Sequence, residues 1–152
     1  VDLMFSSLAI QWCEDNAQLF AEIRRVLKPG GKFYVSTLGP GTLNELRLAW
    51  QAVDSEVHVN RFYSSEKMQQ SILGSGLSVV TWERQERVLF YPILKNLTHE
   101  LKALGAHNVN QGKPSGLTGR QRIQNFRAAY ETFRQPEGLP ATYEVFYGVL
   151  QA

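Results

Sequence analysis

The spacing of apolar residues along this chain changes between an extended and a helical period, and each change predicts an element. A mostly apolar run, Val1–Phe5, begins at the first residue and predicts a strand that reaches Ser6. Glu14, Asp15 and Asn16 place cap-forming and acidic groups at the start of a helix. Its apolar residues recur with helical spacing at Leu19, Phe20, Ile23, Val26 and Leu27, until Pro29 and Gly30 end the helix. A second strand is predicted at 32–37. This order of strand, helix and strand predicts two parallel strands inside a doubly wound α/β sheet.

The alternation of helix and strand continues to the last residues. Thr42-Leu43-Asn44-Glu45 has the spacing of a capping box, which predicts that a helix starts there and runs to about Val53. The further predicted elements are a helix capped by Ser64 or Ser65 and ended by Gly74 and Gly76, a strand at 77–91, and a final antiparallel strand at Thr142–Leu150.

Two more helices are predicted between the last two strands. The first carries a stripe closed by Gly105, and the second starts at Thr118 with Gln121. Their apolar positions are Ile93, Leu97, Leu101 and Leu104 in the first helix, and Ile123, Phe126, Tyr130 and Phe133 in the second. Together they predict a helical insertion at 92–138.

Composition indicates the class of protein but does not indicate its function. The 152 residues are 43% apolar and 20% charged, which is typical of one globular domain, 1–152. A net charge of +2 is too small to favour a nucleic-acid partner, and no apolar run has the length of a membrane span. The cytoplasm is the expected location. Cys13 is expected to pack, and no spacing of histidines with carboxylates predicts a metal site.

Several linked motifs in one order carry a resemblance to a known family. They are Leu8–Cys13, Leu27–Lys32, Ala49–Asp54, His58–Phe62, Leu101–Ala106, Leu117–Arg120 and Thr142–Phe146. Leu-Lys-Pro-Gly-Gly before the second strand resembles the fourth and fifth strands of class I S-adenosylmethionine-dependent methyltransferases. The whole order resembles the C-terminal part of the malonyl-acyl-carrier-protein O-methyltransferases of biotin synthesis, over nearly the whole chain.

The resemblance implies a fold and a cofactor. The fold is the C-terminal part of a class I Rossmann-like sheet, with strands four to seven, the last antiparallel, and the helical insertion between strands six and seven. The cofactor is S-adenosylmethionine, gripped in this family by a glycine-rich turn and a ribose-binding acid that this sequence lacks. We therefore expect the chain to be a truncated, silent part of the enzyme, with doubtful cofactor binding of its own.

The resemblance also implies which residues line the site. Ser6, Ser7 and Leu8 would line the methionine side of the cofactor pocket, although an ordinary strand end is an equal alternative. Arg61 would hold the malonyl carboxylate in its planar fork, against the alternative of a surface arginine. The remaining expected substrate-binding residues are Phe62 as a wall against water, His58 and Asn60 for orientation, and Trp12 for the shape of the pocket.

A surplus of cations marks the end of the insertion. Lys113, Arg120, Arg122, Arg127 and Arg134 face the single acid Glu131 between Gly105 and Arg134. Arg120, Arg127 and Arg134 are seven residues apart, so on one helix they would share a face. Such a face would steer an acidic acyl carrier protein, with an ordinary solvated helix face as the alternative.

Three functional hypotheses stay open at this point. The chain is part of a malonyl-acyl-carrier-protein O-methyltransferase, part of a methyltransferase for another small carboxylic acid, or a non-enzymatic module that binds an acidic protein. In the strand order of the methyltransferases, the first strand, Val1–Ser6, would have a neighbour on each side, and one of these neighbours is expected to be missing here. Its unpaired amides and apolar side chains predict a homo-oligomer through the first strand, or a poorly soluble chain.

Overall fold

A computed structural model describes residues 1–103 and 118–152. The strands are β1 (Leu3–Ser7), β2 (Lys32–Leu38), β3 (Ser78–Tyr91) and β4 (Leu139–Gln151), and the helices are α1 (Asn16–Val26), α2 (Asn44–Gln51), α3 (Ser65–Gly74), α4 (Leu94–Ala103) and α5 (Thr118–Glu131). The sheet has the order β1-β2-β4-β3, with β1 parallel and β4 antiparallel to β2. The predicted α/β class and the antiparallel last strand are therefore confirmed. None of the described helices combines the length and the apolar character that crossing a bilayer requires.

The chain divides into two compact units. The first contains Val1–Thr42, Phe62–Arg87 and Glu144–Ala152, and the second contains Leu43–Arg61 and Val88–Tyr143. The predicted insertion at 92–138 lies within the second unit, together with α2 and the segment that follows it.

The core of the first unit forms where α1 and α3 present their apolar positions. Asp15 caps α1 as the acidic start predicted, since its Oδ1 accepts a hydrogen bond from the Gln18 N–H at 2.9 Å. Ser64 caps α3 in the same way, through the Lys67 N–H at 3.3 Å. The buried side chains of this core are Ile10, Phe20, Ile23, Leu27, Phe33, Val35, Met68, Ile72, Leu77 and Leu150.

β1 lies at the edge of the sheet and exposes one apolar face. Met4 packs against the core of the first unit, whereas Leu3 and Phe5, on the other face, are 61% and 76% exposed. The side chains of β1 therefore alternate between the two faces of the sheet. Val26 was predicted on the buried stripe of α1, but it is exposed because α1 ends there and Leu27 already has an extended backbone.

The core of the second unit brings α4 and α5 together with parts of the long strands. Tyr130 is fully buried, and its hydroxyl donates to the Pro140 carbonyl at 2.8 Å. Ile93 and Ile123 are corrections to the predicted stripes, because they are 51% and 47% exposed. Leu94 takes the buried position at the start of α4, while Leu104 and Gly105 lie outside the described residues.

The predicted capping box at the start of α2 is wrong. Leu43 precedes the helix in a left-handed conformation, with φ of 54°, and no side chain caps the helix. The Thr42 hydroxyl instead donates to the Glu144 carbonyl at 3.1 Å and accepts from the Glu144 N–H at 3.2 Å. Glu45 accepts from the backbone N–H of Thr142 at 3.1 Å and from its hydroxyl.

The partners of β4 explain this difference. The pairing of β2 with β4 ends at Leu38 opposite Val145, so the preceding β4 amides have no donor or acceptor on β2. Buried backbone groups require partners. The segment after β2 supplies these partners. Thr42 and Glu45 bond to β4 as described above, and the Leu43 N–H donates to the Thr142 carbonyl at 2.7 Å. The helix is also shorter than predicted and ends at Gln51, not Val53.

We expect Gly39→Ala to destabilise the protein by about 1–3 kcal/mol, the usual cost of overpacking. A Cβ at Gly39 would lie 2.7 Å from the Phe146 ring and against the Glu144 carboxylate. Gly74→Ala is the matched control, since a Cβ there meets nothing within 4 Å. Because alanine favours a helix over glycine by up to about 1 kcal/mol, the control should be neutral or stabilising. Urea unfolding measures both; equal midpoints would contradict this packing.

Candidate functional site

The carboxyl end of β1 forms a small hydrogen-bonded corner in the first unit. Leu8 follows the strand with φ of 48°, a conformation in which a bulky residue is strained. Its N–H donates to the Ser36 carbonyl at 2.9 Å, and the Ser36 hydroxyl lies 3.3 Å from the Ser7 hydroxyl. Ser6 is half-buried, while Ser7 and Leu8 are exposed. In open α/β sheets, this end of the parallel strands is the ligand side.

Gln11 holds this corner in place, a role that was not predicted from the sequence. Its Nε2 donates to the Leu8 carbonyl at 2.6 Å, while its Oε1 accepts from the Thr37 hydroxyl at 3.4 Å. Both partners lie at strand ends, so Gln11 ties the turn after β1 to the end of β2. Trp12, predicted to shape the substrate pocket, follows in the same turn and is half-exposed.

A groove in the second unit contains two of the predicted substrate residues. It has a volume of about 160 Å³, and His58 and Arg61 line it. The other residues that line it are Arg47, Trp50, Gln51, Ser55, Glu56, Val57 and Val59. We call it the Arg47–Arg61 groove. Asn60 is half-buried next to it in sequence but is not part of its lining, and Phe62 and Trp12 belong to the first unit.

An ion-pair cluster lies beside this groove. Arg122 of α5 donates from Nε to Asp54 Oδ2 at 2.7 Å and from Nη2 to Glu56 Oε2 at 2.7 Å. His58 Nε2 lies 2.8 Å from Asp54 Oδ1, so one carboxylate bridges the guanidinium and the imidazole. The cluster joins two segments that are 68 residues apart in the chain.

Trp50 fixes the ring of His58 within the same unit. Its ring stacks on His58 at 4.0 Å between centroids and on Phe126 at 4.1 Å. The guanidinium of Arg122 lies 5.8 Å from the Trp50 ring centroid, within range of a cation–π contact. His58 is thus held by stacking and by Asp54. The spacing of Trp50, Asp54 and His58, four residues apart in each step, was the signal in the sequence.

Asp54, Glu56 and His58 also bring their ligand atoms close enough for one metal ion. Neither this cluster nor a metal site was predicted from the sequence. Arg122 already supplies both carboxylates with a positive charge and with hydrogen bonds. A cation bound there would have to displace the guanidinium, so the cluster is better described as an arginine clamp than as a metal centre.

The predicted basic face is smaller than expected. Arg122 belongs to the ion-pair cluster, with its side chain only 25% exposed. Arg134 lies beyond the end of α5, where it pairs with Glu131 at 2.7 Å and donates to the Pro92 carbonyl at 3.2 Å. The premise that three arginines share one helix is therefore wrong. Arg120 and Arg127 remain exposed on α5, and Lys113 lies outside the described residues.

The pKa values of Asp54 and Arg47 are both shifted from their ordinary values. Partial burial raises the pKa of Asp54, but hydrogen bonds from the Glu56 N–H, His58 and Arg122 outweigh it, so the net pKa is below the usual value. Arg47 is half-buried, and this burial lowers the pKa of its guanidinium.

Comparison with known sequences confirms the resemblance predicted from the motifs. Residues 1–35 match the model of the methyltransferase domain family. The biotin biosynthesis bifunctional protein BioHC of Cellvibrio japonicus is 57% identical over 99% of this chain, which covers 30% of that protein. The malonyl-acyl-carrier-protein O-methyltransferase of Methylovorus sp. is 43% identical over 97% of this chain, which covers 50% of that protein. The chain thus spans half or less of the length of these curated relatives.

Comparison with solved structures supports the fold. A putative methyltransferase from Bacillus halodurans matches 99% of this chain with a TM-score of 0.60 at 10% identity, over 68% of its own length. The YcgJ protein from Bacillus subtilis matches 99% of this chain with a TM-score of 0.53 at 18% identity, over 62% of its own length. At these identities the likeness describes the arrangement of strands and helices alone.

We expect Asp54→Asn to destabilise the second unit by about 1–3 kcal/mol at neutral pH, because Arg122 would lose a charged partner. A folded-state pKa below the unfolded one stabilises the fold above the unfolded pKa, near 3.9, and this contribution disappears as pH falls through the folded pKa. The stability difference between the parent and the variant should therefore shrink below about pH 4.

Chemical unfolding between pH 3 and pH 7 measures this difference. Asp2→Asn is the control, since Asp2 and Lys28 form a pair at the surface, with side chains 80% and 63% exposed. Such a pair is worth about 0–1 kcal/mol. A loss for Asp54→Asn that is the same at every pH would contradict the assignment of the cluster.

Proposed function

We propose that this chain carries the C-terminal part of a malonyl-acyl-carrier-protein O-methyltransferase, which methylates the free carboxylate of a carrier-bound malonyl group in biotin synthesis. The observation that carries the proposal is identity of 43% and 57%, over nearly the whole chain, to relatives named for this reaction and this pathway. Transfer to another small carboxylic acid is the second candidate, and it rests on the same site.

The reaction requires little acid–base catalysis by the protein. S-adenosylmethionine supplies a methyl group on a sulfonium, and a carboxylate is already a nucleophile, so the protein has to position the two and exclude water. A cation that recognises the carboxylate is needed, and Arg61 suits this role because it is exposed and makes no ion pair among the described residues. Phe62, half-buried, would exclude water, and Asn60 and His58 would orient the substrate.

The end of β1 fits one side of the cofactor. Ser7 and Leu8 are exposed at the carboxyl end of a parallel strand, while Ser36 and Thr37 behind them are buried. Ser6, Ser7 and Leu8 would therefore line the methionine side. The glycine-rich turn and ribose-binding acid of the family do not occur in these 152 residues. We infer that this chain alone binds the cofactor weakly or not at all.

An acyl carrier protein would be an acidic partner that presents the malonyl group. Arg120 and Arg127 are exposed and seven residues apart on α5, so both lie on nearly one face. Such charges increase the rate of encounter more than the affinity, and salt screens them. Arg122 and Arg134, engaged with Glu56 and Glu131, would contribute less to this surface.

We expect the protein, expressed from the full reading frame that contains this chain, to transfer labelled methyl groups from S-adenosylmethionine to malonyl-acyl carrier protein. Acetyl-acyl carrier protein is the control, because it lacks the free carboxylate and should remain unlabelled. Methylation of free small acids, without any of the carrier-bound malonyl group, would favour the second candidate. No methyl ester in either assay would refute both.

The 152-residue chain alone provides the companion measurement. Calorimetric titration with S-adenosylmethionine should give no binding in the micromolar range. A micromolar dissociation constant would mean that these residues suffice for the cofactor.

We also expect this chain by itself to associate with a second copy through β1. Its edge carries unpaired backbone groups, and Phe5 is 76% exposed beside Leu3. Phe5→Lys should reduce association in light scattering across a concentration series. Leu73→Lys, which removes a side chain 62% exposed on α3, is the control and should leave association unchanged. A stable monomer at all concentrations would contradict this expectation.

A further inference from the structure

β3 is a long strand at the edge of the sheet. Over residues 1–103 and 118–152, the strand order β1-β2-β4-β3 places β4 on one side of β3 and no strand on the other. The backbone groups on that outer side have no strand partner in this part of the chain, and such an edge is a template for pairing with another chain. β3 contains 14 residues, whereas strands of about 3–10 residues are usual, so this edge is long.

The middle of β3 carries charges in a self-complementary order. Glu83, Arg84, Glu86 and Arg87 are exposed around the central Gln85, and all five residues belong to the first unit. When two copies of this segment run antiparallel about Gln85, residue 83 lies opposite residue 87, and residue 84 lies opposite residue 86. Each glutamate then lies beside an arginine of the other copy, on the same face of the sheet. Opposite charges in this position stabilise a strand pair, and like charges destabilise it.

The same charges select one register. A shift of one residue in either direction sets Arg84 opposite Arg87 or Glu83 opposite Glu86, and parallel strands in register would set each charge beside an identical one. Charged residues on an edge strand often prevent association. A run of one sign would serve that purpose, whereas the order in β3 favours one antiparallel pairing with a second copy.

Contacts within the chain leave part of this charge unpaired. Arg84 donates to the buried Glu144 at 3.1 Å and lies 3.8 Å from Glu86, whose side chain is more than half exposed. Arg87 donates to the Gln85 amide oxygen at 2.7 Å. Neither Glu83 nor Arg87 forms an ion pair with any residue in the described ranges. These two residues are four apart on one face of the strand, so a symmetric partner satisfies both at once.

Apolar residues flank the charged segment. Val80 precedes it, Val88, Leu89 and Phe90 follow it, and all four side chains are exposed. An antiparallel partner brings the residues before one charged segment alongside those after the other, and this contact removes apolar surface of both copies from water. The charges would then set the register, and the apolar residues would add to the affinity.

We propose that β3 is the contact surface of a homodimer, in which residues 83–87 of two copies pair antiparallel about Gln85. The pairing is isologous, as a two-fold axis requires, because residue 83 of each copy contacts residue 87 of the other. The two sheets then join into one continuous sheet across the axis. This inference is independent of the proposed function, since it rests on the edge and the charges of β3.

Sedimentation equilibrium of the protein expressed from the full reading frame that contains this chain tests the dimer. The parent protein should form dimers. Glu83→Lys and Arg87→Glu should each raise the dissociation constant of the dimer by about tenfold or more, because each sets like charges opposite one another at two symmetry-related positions. Glu22→Lys makes the same change of charge as Glu83→Lys, on the exposed face of α1, and should leave the dissociation constant unchanged.

Mixing the variants separates charge pairing from damage to the fold. In a mixed dimer of Glu83→Lys with Arg87→Glu, all opposed residues again have opposite signs, so an equal mixture should dimerise nearly as well as the parent. A mixed dimer of Glu86→Lys with Arg87→Glu keeps like charges opposed, so this mixture should not recover. Thermal unfolding of each variant establishes that it is folded.

Each outcome decides the proposal. Dimers that both reversals weaken, and that the first mixture alone restores, support pairing about Gln85. A parent protein that is monomeric at all concentrations would overturn the proposal, and would mean that another part of the protein or solvent covers the edge of β3. Dimers that neither reversal affects, or that both mixtures restore equally, would overturn it in favour of another interface. Methyl transfer by a monomeric protein would leave the proposed function standing without the dimer.

Discussion

The antiparallel pairing of β2 with β4 is the constraint from which much of the local structure follows. β2 has strands on both sides, so its register fixes β1 by Leu3 opposite Lys32 and β4 by Val145 opposite Leu38. Where β2 ends, β4 continues with amides and carbonyls that still need partners. The segment after β2 supplies them through Thr42 and Glu45.

This demand for hydrogen bonds decides where α2 begins. Leu43 turns with a left-handed backbone, and Glu45 is anchored to Thr142 instead of to the amides of its own helix. One turn later, α2 presents Arg47 and Trp50 to the groove. The position of the Arg47–Arg61 groove thus depends on hydrogen bonds to Thr142, 97 residues from Glu45 in the chain, and not only on the residues that line the groove.

The features that the sequence predicts best are those formed by residues close together in the chain, such as helix caps. Asp15 and Ser64 cap their helices as expected, since each bonds an amide three residues away. Thr42 and Glu45 have the spacing of a capping box, but both bond to β4, whose backbone groups would otherwise lack partners. The link between Arg122 and Asp54 has no local signal at all, because the two residues meet only when α5 packs against α2. Arg61 could be proposed as a substrate-binding residue from its motif. That Arg47 lines the same groove is visible only in the folded chain.

The backbone at Leu8 changes the expected effect of replacing a leucine by glycine. In a strand or helix, replacing leucine by glycine removes packing and increases the entropy of the unfolded chain. Leu8, however, is 45% exposed and has φ of 48°, where a residue with a Cβ pays about 1–2 kcal/mol. The relief of that strain offsets the entropic loss, which in glycine is about 0.5–1 kcal/mol. The turn after β1 is therefore a position where glycine would be tolerated. A substitution that relieves backbone strain is thus available at the carboxyl end of a parallel strand, outside the buried core.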